Sequence, residues 1–284
     1  MGLKPTYGRV SRYGVLPMSA SLDHVGPVAR RVADAAIMFD AIAGFDPQDS
    51  TSLQQPPPDV LSQLDRGING VRIGVDRRYA LTGIDPGQKA ALEKALEVLA
   101  TLGARIVDVK MPDLTGVVDT WMTICSSEMF AAHAANYPSR AQKYGPYLRE
   151  FLQMGSRVTP TTFAAAKKRQ SELTAHFVAL LDSVDAMAGP AGGDPAWPIT
   201  HELQVGPMAA YHKAWSAAAP SSAEFTMPMD LAGVPAICLP CGFAPEGVPY
   251  SIQFTGRPLS EGMLCQIAHA YEQATNWHHR HPNV

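Results

Sequence analysis

Apolar residues first recur at helical spacing after Pro27. Val28, Val32, Ala35, Ala36, Phe39 and Ile42 fall on one face, and Gly44 follows as a stop. Pro27 suits a first helical turn, where its missing N–H is harmless, so a helix is expected to begin near it. The pattern then breaks. Asp46 to Ser52 and the run Pro56-Pro57-Pro58 read as an exposed, proline-stiffened connection. Val71 to Val75 is a short apolar strand. Asp85-Pro86-Gly87-Gln88 reads as a helix start, with Asp85 capping and Gln88 placed to reach back. Leu92, Ala95, Leu96, Leu99 and Leu102 give that helix its buried stripe, Gly103 ends it, and Ala104 to Val109 is a second strand. Two strands joined through a helix favour a parallel pair with a right-handed crossover.

Residues 116–182 carry mostly helical spacing, and the clearest segment starts at Thr159-Pro160. Val184 to Ala188 reads as a buried strand, followed by the loop from Gly189 to Pro198. Ala236 to Phe243 and Tyr250 to Phe254 pair as strands around Pro245-Glu246-Gly247. A last helix runs from about Ser260 to Thr275 and buries Leu264, Ile267, Ala268 and Tyr271. Alternating strands and helices argue for an α/β fold.

The chain has 284 residues, 46% of them hydrophobic, with Lys+Arg 23 against Asp+Glu 26. That is enough chain for a sizeable core in one or two domains. A formal net charge of -3 gives no electrostatic case for nucleic acid or an anionic membrane as partner. Four cysteines do not make a disulfide framework. No stretch approaches the ~18 apolar residues of a membrane span, and a signal-peptide run is missing. The expected location is cytoplasmic, with reduced thiols.

Short motifs carry little chemistry. Cys238 and Cys241 have CxxC spacing but lie in a strand pattern, where two packed thiols are the simpler reading. His278, His279 and His281 fall after the last helix and read as a solvated tail. His201-Glu202 lacks the second histidine of a zinc-protease helix, because position 205 is Val. Ser19, Ser21, Asp23 and His24 sit close in sequence; a turn whose side chains bond backbone N–H groups is the expected role. Gly192-Gly193 beside Asp194 is by itself a flexible loop. Lys167-Lys168-Arg169 reads as a solvated helix face. No GxSxG elbow and no Ser-x-x-Lys pair occurs.

Three long segments are more specific. Gly2-Leu3-Lys4-Pro5-Thr6-Tyr7-Gly8-Arg9-Val10-Ser11, continuing through Ser21 to Pro27 and on to Asp34, resembles the amidase signature family. So do Phe225 to Ala236 with Pro240 to Phe243, and Gln253 to Pro258 followed by Ala268 to Ala274 and Trp277-His278. The strand–helix–strand unit from Val71 to Val109 fits the family in layout, and the matches occur in family order.

The resemblance implies an α/β fold with a mixed β-sheet layered between helices, incomplete at its N-terminal side. Residues 1–284 would be the C-terminal portion of a single domain. It also implies hydrolysis of a small carboxamide by a serine nucleophile, a second serine and a lysine, with backbone N–H groups as oxyanion hole. No metal and no organic cofactor is implied. In the family the lysine, the glycine–serine-rich run and the nucleophile precede the Gly2-Leu3-Lys4-Pro5-Thr6 segment, so no catalytic residue is assigned here. Lys4, Ser11, Ser19 and Ser21 match later positions. The isolated chain is expected to be inactive, and to expose core surface unless an N-terminal portion or another copy in a homo-oligomer covers it.

The resemblance places Trp121, Met122, the Ser126–Ser127 region, the Gly189–Trp197 loop with Gly192, and Glu224, Phe225 and Thr226 around the acyl or amide pocket. Read without it, Trp121 and Phe225 are core aromatics and Glu224 a surface charge. Three other readings stay open. One is the glutamine-hydrolysing component of a tRNA-dependent amidotransferase. Another is a non-catalytic binding remnant. The third is a thiol redox or metal protein using Cys238 and Cys241.

Overall fold

The computed structural model describes residues 1–210 and 222–281. Among them, six strands form one mixed sheet: β1 (Gly2–Lys4), β2 (Arg72–Val75), β3 (Arg105–Asp108), β4 (Ala186–Gly189), β5 (Ala236–Phe243) and β6 (Pro249–Thr255). Their order is β1-β5-β6-β4-β2-β3. β2 runs parallel to β3 and β4, so the expected parallel pair is present, with Ile73 opposite Ile106. β6 is antiparallel to β4 and β5, and β1 is antiparallel to β5. Pro240 and the irregularity next to it lie beyond the end of β1, where β5 has a neighbour on one side only. A residue without an N–H is tolerated there.

Helices cover both faces of the sheet, as expected. On one face α1 (Val32–Ile42), α3 (Pro86–Thr101) and α9 (Glu261–Gln273) pack on Ile73, Val75, Ile237, Leu239, Ile252 and Phe254. On the other, α4 (Val117–Ala132), α5 (Pro146–Gly155), α6 (Pro160–Leu181) and α8 (Ser222–Leu231) gather around Met187, Val234 and Val184. Two short helices, α2 (Arg77–Leu81) and α7 (His201–Val205), connect elements.

Local chemistry sets several boundaries. Asp85 accepts from the N–H groups of Gly87 and Gln88 at 2.8 and 2.9 Å, and Pro86 opens α3. Thr159 Oγ1 accepts from Thr162 N at 3.1 Å, and Pro160 opens α6. Gly103 ends α3's approach to β3 with φ +92°, and a Cβ there would lie 2.7 Å from the Asn69 side chain.

Three expectations are corrected. First, α1 begins at Val32, not near Pro27. Residues 27–29 instead run alongside β1: Leu3 N donates to Pro27 O at 3.0 Å, and Val28 bridges Gly2 with its side chain in solvent. The first free N–H of α1, Val32 N, donates to the buried carboxylate of Glu272 on α9 at 2.9 Å. Second, Gln88 does not reach back to its own helix start. Its Nε2 donates to Ser251 O at 2.9 Å and its Oε1 accepts from Ser251 N at 3.0 Å, which ties α3 to β6. Third, the histidine-rich segment is anchored through Trp277 and Arg280, while His279 and His281 stay exposed as expected. Trp277 Nε1 donates to Tyr271 Oη at 3.2 Å, and the Arg280 guanidinium sits 4.1 Å from the Phe243 ring centre.

Helices α4 and α5 approach closely at Gly155. A Cβ there would stand 1.9 Å from the carbonyl oxygen of Ser126 on α4. Backbone cannot yield as a side-chain tip can. Gly155→Ala is therefore expected to lower the urea-derived unfolding free energy by ~2–3 kcal/mol, the cost of overpacking. An unchanged midpoint would show that α4 and α5 slide apart freely.

Candidate functional site

The polar groups of the second layer meet at Asp230, near the end of α8. Trp121 Nε1 from α4 donates to Asp230 Oδ2 at 2.7 Å. His24 Nδ1 lies 3.0 Å from Asp230 Oδ1 and 2.6 Å from Leu22 O. Both neighbours are acceptors, so Nδ1 carries a hydrogen. The Tyr7 ring stands edge-on to the His24 ring at 5.5 Å, and its hydroxyl donates to Ala20 O at 2.6 Å. Lys4, from β1, donates to Val234 O at 2.5 Å. Its burial lowers its pKa to about 8, against the pull of the Asp230 and Glu261 carboxylates, which favour the charged form.

A second cluster forms around Glu128, one turn past Cys125 on α4. Ser19 Oγ and Ser21 Oγ donate to its two oxygens at 2.6 and 2.7 Å, and Ser21 N donates at 2.8 Å. Lys167 Nζ on α6 donates to Ser21 Oγ at 3.0 Å and lies 3.9 Å from Glu128 Oε1. A serine beside a lysine invites a nucleophile–base reading, but the protons are in the wrong places. Ser21 gives its hydrogen to Glu128 while accepting one from a carboxylate-paired ammonium, so Lys167 is not a base toward it. The cluster clips residues 19–21 onto α4 and α6. Asp23 Oδ2 accepts from Met18 N and Ser19 N at 2.9 and 3.0 Å, which is the turn expected for this segment.

The residues placed around the pocket by sequence divide into groups. Trp121 and Met122 lie on α4, which packs against α8, the helix bearing Glu224, Phe225 and Thr226. Phe225 is buried, with its ring 5.2 Å from that of Tyr79. Its carbonyl accepts from Gln253 Nε2 on β6 at 3.0 Å. The side chain of Glu224 faces solvent while its carbonyl accepts from Tyr79 Oη at 2.7 Å. Burial raises the Tyr79 pKa, so this phenol stays a donor. Ser126 is fully buried at the α4–α5 crossing, with Oγ 3.4 Å from Thr123 O of its own helix. Gly192 lies apart, on the loop after β4. The next residue, Gly193, accepts from Asp85 N at 2.8 Å, which anchors that loop to the start of α3. A groove of about 1350 Å³ opens there, between α3, residues 194–198 and the β5–β6 turn, lined by Trp197, Phe243 and Trp277. The α4–α8 residues do not line it.

Cys238 and Cys241 are unpaired thiols on β5. Burial pushes them up to about 11 and about 12, so both are neutral near pH 7. Cys238 Sγ faces Gln253 Oε1 at 3.6 Å. Among the described residues no three His, Cys, Asp or Glu side chains gather as a metal site, and no helix is long and apolar enough to cross a membrane.

Of the residues that hold this region together, Glu128 and Asp230 were not singled out by sequence, and Lys167, read there as part of a solvated helix face, turns its ammonium to Ser21 and Glu128 instead. Asp230 lies inside the segment Phe225 to Ala236, which was recognised as a block. Its partners are set by contacts across more than 100 positions.

Residues 1–265 match the Amidase family, and the chain belongs to it. It is 35% identical over 307 aligned positions to the A component of the glutamyl-tRNA(Gln) amidotransferase of Chloroflexus aggregans, covering 100% of this chain and 60% of that protein. Its fold is similar to that of the same component from Thermotoga maritima, with TM-score 0.76 and 29% identity over 95% of this chain and 57% of the other. A 6-aminohexanoate cyclic dimer hydrolase is similar with TM-score 0.84 and 25% identity, over 99% of this chain and 62% of that one. The chain thus spans about 60% of the length of the curated relatives it matches.

Lys4 gives a pH test of the buried cluster. Its folded pKa is lowered from 10.5 to about 8. Between these values the unfolded chain holds a proton that the folded chain has released, so stability rises with pH across this window. The full effect corresponds to ~3 kcal/mol. Urea titrations at pH 7, 8, 9 and 10 are expected to show that rise in the parent relative to Lys4→Met. Parallel pH curves for the two proteins would mean that Lys4 titrates normally.

Proposed function

We propose that the chain forms the acyl-side wall of a carboxamide hydrolase. Membership of the Amidase family over residues 1–265 carries this reading. The nucleophilic serine, second serine and lysine implied by the family mechanism come from the part of the fold that the relatives have and this chain does not span. In this reading α4 and α8 form the wall through Trp121, Met122, Glu224, Phe225 and Thr226, Gly192 contributes backbone from the loop after β4, and buried Ser126 supports the wall. The Asp230 carboxylate holds the Trp121 indole in one rotamer, so the wall is preorganised before substrate arrives. The partly exposed indole of Trp121 and thioether of Met122 suit a small amide with an apolar acyl group, with Phe225 buried inside the wall.

A second reading, glutamine hydrolysis within an amidotransferase built from several chains, is favoured by the names of the relatives that are 33–35% identical. It would bring protein partners with it.

The chain would be assayed alone and together with the part of the Chloroflexus aggregans relative that it does not match. Substrates would be glutamine and a panel of aliphatic and aryl amides. Turnover is expected from the combination and not from the chain alone. Aryl or aliphatic amides should exceed glutamine. Trp121→Phe, which keeps the ring but loses the bond to Asp230, is expected to raise KM roughly tenfold with kcat little changed, about 1.4 kcal/mol of substrate binding. Labelling of a serine in the chain alone by a fluorophosphonate, with loss of amide turnover, would refute the division of labour.

A further inference from the structure

The groove beside the start of α3 is lined by none of the α4 and α8 residues, and it holds about 1350 Å³. Its floor is made of small residues where β5 and β6 meet α3. A Cβ at Gly242 would lie 2.9 Å from the Cβ of Ala91, and one at Gly87 would collide with the Tyr250 hydroxyl. Large rings from three separate elements line the groove as well: Trp197 on the loop after β4, Phe243 at the end of β5 and Trp277 after α9. Each of them is partly exposed. Aromatic surface left partly in water at a concave site is what a ligand gains most by covering.

The charged side chains of the groove are unequal in sign. Among the described residues Asp85, Asp194 and Glu246 line it against one cation, Lys94, whose ammonium bonds Glu97 at 2.9 Å on the exposed side of α3. Asp85 is committed to capping α3 and to the Tyr250 hydroxyl. Glu246 is exposed on the β5–β6 turn, beside Gly247 with φ +85°. The face of an aromatic ring is negative, and carboxylates at the rim add to that potential. The chain already uses one of these rings in this way. The Arg280 guanidinium lies 4.1 Å from the Phe243 ring centre, and Arg280 lines the neighbouring cavity, not this groove. Phe243 and Trp277, with ring centres 5.9 Å apart, line both cavities and form the partition between them.

We propose that this groove binds a small organic cation, a quaternary or tertiary ammonium carried on an apolar body. The rings take the alkyl-covered charge, Glu246 and Asp194 balance it, and the small residues of the floor leave room for the body. A bare ammonium or metal ion is strongly hydrated and would not exchange water for ring faces. An anion would meet the carboxylates. An uncharged molecule of the same shape would gain the burial but not the attraction to the rings. The proposal does not depend on amide hydrolysis, because it uses no residue of α4 or α8.

The test compares choline with dimethylbutanol, its uncharged carbon isostere, by calorimetric titration of the full chain. Choline is expected to bind at one site, roughly tenfold more tightly than the isostere. Trp197→Leu is expected to weaken choline roughly tenfold and to leave the isostere far less affected, because the ring face has gone and apolar surface remains. Glu246→Gln, on an exposed turn where folding is not at stake, is expected to weaken choline roughly threefold and the isostere not at all. Equal affinity for choline and dimethylbutanol would make the groove an apolar cleft and overturn the proposal. So would the lack of saturable choline binding. Choline binding that survives both substitutions unchanged would lie elsewhere on the chain, and would overturn it too.

Discussion

A single carboxylate, Asp230, organises the layer where chemistry is proposed. It receives Trp121 from α4 and faces His24 from the N-terminal segment, and its charge is felt by Lys4 on β1. A buried carboxylate is costly unless several donors surround it. Asp230 is only partly buried, and its two donors, Trp121 and His24, come from segments far apart in sequence that the charge draws together. An apolar residue at 230 would leave the Trp121 indole N–H without its acceptor and His24 Nδ1 with Leu22 O alone, and α4 and α8 would lose a hydrogen bond that ties them together.

Two glutamates on α9 do a related task on the opposite side of the sheet. Glu261 Oε1 accepts from Thr6 N at 2.7 Å, and Glu272 Oε1 accepts from Val32 N at 2.9 Å. Each serves a backbone N–H that no local residue satisfies. The segment between them carries Arg9, the clip at Ser19 and Ser21, and His24. Its path is therefore dictated at both ends by a helix near the other end of the chain. The two clusters around Asp230 and Glu128 then fix its middle, and the apolar positions of the 13–18 loop are left turned outward.

What could be read from sequence depended on the range of the interactions. Asp85-Pro86 and Thr159-Pro160 announce helices because cap and proline act within one turn, and both helices start where expected. The strands Arg72–Val75, Arg105–Asp108 and Ala236–Phe243 were legible from apolar runs bounded by turn residues. The start of α1 was not, because the bridge from Gly2 to Val28 and the acceptor on Glu272 overrule Pro27 as a helix opener. Gln88 was misjudged for a similar reason: Ser251, 163 positions away, takes both ends of its amide. The family was legible from long blocks of residues. The wall was only partly so, since the same blocks hid Asp230, and nothing local marks Glu128 or Lys167 as partners of a serine turn.

The pairing of β1 with β5 also sets an order of events during synthesis. Lys4 reaches the carbonyl of Val234 across a separation of 230 residues. At roughly 5–20 residues per second, β1 waits on the order of ten to fifty seconds on the ribosome before its neighbour exists. Throughout that interval the Met1–Lys4 edge and the outer face of α1 are exposed together. Molecular chaperones that shield nascent apolar segments would therefore be expected to engage this chain early and release it late.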